Sequence, residues 1–211
     1  MKNTINFLLA GVGGQGTILA SDVLVHVGLK VGYQAKQAEV HGMSQRGGSV
    51  TSYVRWGYVV YSPLVGAGEV DILLAFEKAE ALRSLRQLRP GGLALINLEA
   101  IKPVTVTSSG QVYPTDEYLR NTVVKVTQDA YYVAGADIGV GLGNARVANV
   151  VLLGALYALM EKKAFSGKVL SQEVWLSVIA ERVPEKYLEL NYQAFQAGRD
   201  AVTADVRMNL A

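Results

Sequence analysis

Cysteine is absent from this 211-residue chain. The chain therefore supplies no disulfide, no cysteine-ligated zinc, no Fe–S ligand set and no thiol nucleophile. Histidine is nearly absent too, with two residues, and no resident metal is expected. Net charge is only +2, from 20 basic and 18 acidic residues, so no strong field favours nucleic acid or an anionic membrane. Long apolar runs are missing. The longest extends from Val150 to Met160, about half of the roughly 20 residues a bilayer span requires. Met1–Phe7 carries no secretory h-region, and a soluble, cytoplasmic protein is expected. No repeat, low-complexity tract or Pro/Ser-rich linker divides the sequence, so residues 1–211 read as one domain.

Glycine runs the other way, with 22 residues where a typical share of about 7% would give roughly 15. Between the glycines the pattern alternates. Residues 4–10, Val70–Phe76 and Leu93–Leu98 read as buried strands, and residues 33–40 as a further strand. Shorter strands are expected over Val104–Thr107 and Val123–Thr127. Thr17–Lys30 and Glu77–Leu88 read as helices, followed by a long apolar helix capped by Asn144, one opened by Ser171, and a last one started by Pro184. Ser49–Trp56 and Tyr58–Tyr61 look like two arms of an antiparallel hairpin about Gly57. The sum is an α/β, Rossmann-like layered domain with a mainly parallel sheet and an inserted antiparallel hairpin. Trp56 and Trp175 read as core or interface anchors.

The glycines fall in three clusters. The first, Gly11-Val12-Gly13-Gly14-Gln15-Gly16, is a G-x-G-x-x-G between strand and helix, which suits a pyrophosphate at a helix N-terminus or an empty tight turn alike. Glu39 stands near where a ribose-binding acid would sit, so a free-standing dinucleotide-binding protein is one reading. The second cluster, Glu39-Val40-His41-Gly42-Met43-Ser44-Gln45-Arg46-Gly47-Gly48, is more than such a fold needs. Gln45 and the planar fork of Arg46, beside Gly47 and Gly48, suit a phosphate, a carboxylate or another protein. His41 is either a proton-transfer group or a histidine hydrogen-bonded in place. The third cluster, Gly135 to Gly143, leads into Asn144-Ala145-Arg146. A cation in a first helical turn opposes the dipole, so Arg146 calls for a ligand phosphate, a partner carboxylate or a local acid such as Asp137. Asn149, inside the apolar helix, needs a hydrogen-bond partner if buried.

Those three runs, with Tyr61-Ser62-Pro63, Asp71–Phe76, Pro90-Gly91-Gly92 and Val183-Pro184-Glu185-Lys186, resemble the gamma-type small subunits of the pyruvate and 2-oxoacid:ferredoxin oxidoreductases. Among these the beta subunit of the indolepyruvate enzymes is the nearest in pattern. The resemblance implies an oxidative decarboxylation that makes acyl-CoA and CO2 and passes electrons to ferredoxin. It also implies a division of labour. This chain has neither a Gly-Asp-Gly thiamine motif nor cysteine, so thiamine diphosphate, Mg and 4Fe–4S clusters would belong to a large partner subunit. The chain alone is expected to be inactive. Its glycine loops would face the shared active site or coenzyme A, with Gly11, Gly13, Gly14, Gln15, Gly16, Gln45, Arg46, Gly47, Gly48, Asn144 and Arg146 as candidate binding residues and His41 as the candidate catalytic one.

Overall fold

Thr4–Val12 (β1) is apolar at nearly every position, and a strand like that must be covered on both faces. The computed structural model, which describes residues 4–41, 48–102, 112–163 and 170–203, makes β1 an interior strand of a six-stranded sheet. The other strands are β2 (Gln34–His41), β3 (Ser49–Gly57), β4 (Val70–Ala75), β5 (Leu88–Asn97) and β6 (Ala130–Val133). Their order is β2-β3-β1-β4-β5-β6. β1, β4, β5 and β6 run parallel, and β3 lies antiparallel between β1 and β2.

Side-chain alternation splits the core into two layers. Phe7 and Leu9 of β1, with Ile72 and Leu74 of β4, face α1 (Thr17–Lys30) and three later helices. Leu8 and Ala10, with Leu73 and Ala75, face α2 (Lys78–Ser84) and α3 (Asp116–Val123). After β6 comes a short α4 (Gly135–Gly141), then α5 (Ala148–Lys162), α6 (Gln172–Ala180) and α7 (Leu188–Thr203). α5 is buried from Ala148 to Met160 and crosses α7 at a glycine pair. A Cβ on Gly154 would stand 1.9 Å from the Phe195 carbonyl oxygen, and one on Gly198 would stand 1.8 Å from that of Val151. Trp56 and Trp175 are both fully buried, as core anchors should be.

Several sequence expectations change. The helix read to Leu88 ends at Ser84 with a short 3-10 turn to Gln87, and Leu88 already opens β5. The antiparallel hairpin is present, but its arms are β2 and β3. Tyr58–Tyr61 forms no strand, because side chains satisfy its backbone instead: Gln34 accepts from the Val60 amide at 2.9 Å, and Lys36 donates to the Tyr61 carbonyl at 3.0 Å. Val123–Thr127 is not a strand. It is the end of α3, which Thr115 caps by accepting from the Tyr118 amide, and the turn beyond it. Ser49–Gly57 extends one residue past Trp56 and pairs along its length with both β1 and β2. Val104–Thr107 lies outside the described residues. No described helix is long and apolar enough to cross a membrane.

Candidate functional site

The sheet's polarity assembles the site. β1, β4, β5 and β6 all end at one rim; β2 ends there and β3 begins there, since His41 pairs with Val50 and Val12 with Ser49. The strand order also reverses between β1 and β4, and in open α/β sheets such a switch point, at the carboxyl ends of the strands, is where ligands sit. The first cluster follows β1, the second joins β2 to β3, and the third follows β6, so all three come to this rim.

They also touch. The Gly13 amide donates to the Gly48 carbonyl at 2.9 Å, joining the first cluster to the close of the second. Gly16, which begins α1 at φ +77°, packs against Asn149 of α5, whose side-chain amide donates to the Gly16 carbonyl at 3.5 Å. That contact brings the turn beside the third cluster and supplies the partner Asn149 required. Asn144 caps the following turn by accepting from the Arg146 amide at 3.0 Å. Between α1, this cap and the segment leading into α7 lies a cavity of about 190 Å³, lined by Leu19, Asn144, Arg146, Asn149, Tyr187 and Asn191 among others. Drug-sized ligands occupy pockets of roughly 300–1,000 Å³, so this one has room for part of a cofactor-sized molecule. Arg146 is exposed and forms no ion pair with Asp137 or any other described residue. A guanidinium there, on a cavity that α1 also lines through Leu19, can receive an anion.

Gln15 has a different task from the one its motif suggests. Its side-chain carbonyl accepts from the Val12 amide at 2.8 Å, and its amide nitrogen donates to the Phe76 carbonyl at 2.8 Å and to Glu99 at 2.9 Å. The residue bridges the switch-point crevice and has no donor left for a ligand. Gln45, Arg46 and Gly47 lie outside the described residues, as does the His41 side chain; the His41 backbone closes β2.

Sequence reasoning missed the polar groups beneath the rim. Glu77 caps α2 by accepting from the Glu80 amide at 3.0 Å and also holds the Ile101 amide at 3.2 Å. Burial pushes its carboxyl above the usual carboxylate range, against the opposing pull of those amides. Glu80, also buried, accepts from the Ser49 hydroxyl at 2.6 Å and pairs with Arg83. Asn97 and Glu99 join Gln15 in one hydrogen-bonded group. The available signal was a lone Asn closing an apolar run, Leu93-Ala94-Leu95-Ile96-Asn97.

The geometry tells against a dinucleotide fold. There the acid-bearing second strand lies beside the first. Here β3 intervenes, which sets Glu39 two strand spacings, about 10 Å, from β1. The chain has no cysteine to hold a cluster, and among the described residues no group of three His, Asp or Glu that could hold a metal ion comes together.

Comparison with known proteins gives a consistent answer. Residues 6–201 match the pyruvate ferredoxin/flavodoxin oxidoreductase family. The indolepyruvate oxidoreductase subunit IorB of Thermococcus kodakarensis is 39% identical over 92% of this chain and 93% of its own. A 2-oxoglutarate synthase subunit, KorC of Methanothermobacter thermautotrophicus, is 28% identical over 92% of this chain and 93% of its own. Among solved structures, the gamma subunit of a keto/oxoacid ferredoxin oxidoreductase from Geobacter sulfurreducens superposes with a TM-score of 0.68 at 27% identity, covering 95% of this chain and 99% of that one.

Proposed function

Because the chain belongs to the pyruvate ferredoxin/flavodoxin oxidoreductase family, we infer that it is the small subunit of a 2-oxoacid:ferredoxin oxidoreductase, with an aryl 2-oxoacid such as indolepyruvate as substrate. The observation that carries the reading is the full-length likeness to small subunits of such enzymes in a chain without a cysteine for the electron path. The reaction joins a 2-oxoacid to coenzyme A, releases CO2 and delivers two electrons to ferredoxin. Thiamine diphosphate, when bound on the large partner, supplies the stabilised carbanion that no side chain can provide.

This chain's part is to complete the site. The first-turn amides of α1, Arg146 and the Asn144 turn hold anionic groups of coenzyme A. To the loop from Glu39 to Gly48, with His41, Gln45, Arg46 and Gly47, we assign a role at the shared active site. Tyr58, Val59, Tyr61 and Leu64 form an exposed apolar strip, with Tyr61 90% exposed, and such a strip on a subunit marks a surface that another chain covers.

The test is reconstitution. The chain alone should show no turnover, and co-expression with a large subunit bearing cysteine clusters and a thiamine motif should give indolepyruvate- and coenzyme A-dependent reduction of a low-potential acceptor. In that complex Arg146→Ala should raise KM for coenzyme A about tenfold. Decarboxylation by the purified chain unaided would refute the subunit reading.

A further inference from the structure

The strongest unassigned feature is the pair of side-chain amides beneath the rim. Asn97 is 1% exposed. Its oxygen accepts from the Gly135 amide at 2.9 Å, and its nitrogen donates to the Phe76 carbonyl at 3.0 Å and to Glu99 at 3.2 Å. Gln15 donates to the same two acceptors, while its own oxygen holds the Val12 amide. The orientation of both amides is forced, since a backbone N–H can only donate and a backbone carbonyl can only accept.

We propose that Asn97 is a positioning residue that fixes the glycine turn and the segment carrying Arg146 at one separation. The connection is continuous. On one side it runs from Val12 through Gln15 to the shared acceptors Phe76 and Glu99. On the other it passes through Asn97 to Gly135, the first residue of α4. α4 in turn delivers Asn144, whose amide donates to the Gly139 carbonyl at 2.8 Å, and Gly139 packs so tightly there that a Cβ would stand 2.9 Å from the Asn144 carbonyl oxygen. The separation matters because Leu19, in the first turn of α1, and Arg146 line one cavity, and groups on the two segments act together on a ligand only when both reach it.

The functional readout rests on the reading above; the structural readout does not. Asn97→Asp keeps the acceptor for Gly135 and replaces both donors with a charge that faces the Phe76 carbonyl and Glu99. In the 15N-labelled full chain this substitution should shift the amide resonances of Val12 to Gly16, to none of which Asn97 is hydrogen-bonded, and speed hydrogen exchange at Val12. If Asn97→Asp does not fold, Gln15→Met offers the reverse measurement, with shifts expected at Gly135 and Arg146. In the assembled complex Asn97→Asp should raise KM for coenzyme A about tenfold with kcat within twofold. In an Arg146→Ala background it should change KM less than twofold, because a positioning residue has no effect once the group it positions is gone.

Resonance changes confined to the immediate neighbours of the substituted residue would overturn the proposal, and so would KM effects that multiply. If Arg146→Ala alone leaves KM unchanged, the coenzyme A reading of Arg146 fails by itself, and the resonance measurement decides the role of Asn97.

Discussion

The α5–α7 crossing and the rim of the sheet both depend on glycine, for opposite reasons. At the crossing, Gly154 and Gly198 let two backbones meet at distances no side chain permits, and the surroundings are buried and apolar. At the rim, Gly16 takes a left-handed conformation, and its neighbour is the polar side chain of Asn149. Glycine admits a second backbone in one region and permits a left-handed turn in the other. A composition count cannot tell these apart, and only the second kind bears on ligand binding.

Gly198→Ala should give the largest effect. Its Cβ would stand 1.8 Å from the Val151 carbonyl oxygen, so α5 and α7 must separate and loosen Phe195 and Trp175 with them. Overpacking of this kind costs about 3 kcal/mol, which lowers the melting temperature of a chain this size by roughly 10 °C. Complex that does assemble should keep the wild-type KM for coenzyme A. A raised KM would break the division between the two regions.

Gly16→Ala should cost less stability and more function. The left-handed φ of +77° penalises a Cβ by about 1–2 kcal/mol. That Cβ would also stand 2.4 Å from the Asn149 side-chain nitrogen and push it off the turn. The denaturation midpoint should fall by less than in Gly198→Ala, while KM for coenzyme A rises at least tenfold. Equal losses of stability with an unchanged KM would make the first glycine cluster a structural turn only.

The crossing was the less legible region. Its helices show in apolar spacing, but nothing in Val150–Met160 announces which helix Gly154 admits. The rim was visible as clusters because its residue types are unusual for a turn: Arg46, Gln45 and Asn144 among glycines. What the sequence concealed there was long-range. Ser49–Gly57 alternates buried and half-buried residues as any amphipathic strand does, and its insertion between β1 and β2 depends on pairings local propensity does not encode. Tyr58–Tyr61 has strand composition, yet Gln34, Lys36 and Arg55 occupy backbone groups of the 60–64 segment. Gln15 reads as part of a phosphate motif, and only the positions of Phe76 and Glu99 show that its amide is already engaged. The α/β layering was read correctly because buried parallel strands are apolar on both faces, a signal each segment carries alone.

Gly141→Ala should have the smallest effect and the opposite sign. Gly141 ends α4, is exposed, has no positive φ and has no atom from outside its own helical turn within 4 Å of where a Cβ would be. Alanine there restricts the unfolded chain and favours the helix, which should stabilise the isolated chain by about 0.5–1 kcal/mol. Chemical denaturation of the isolated chain measures that gain. The same variant in the assembled complex sharpens the comparison. α4 leads to the Asn144 turn, so a gain that persists in the complex, with unchanged KM, means that Gly141 serves neither ligand nor partner. A gain that reverses on assembly means the open space beside α4 is filled by the partner, which extends the rim's role beyond the cavity to the subunit interface.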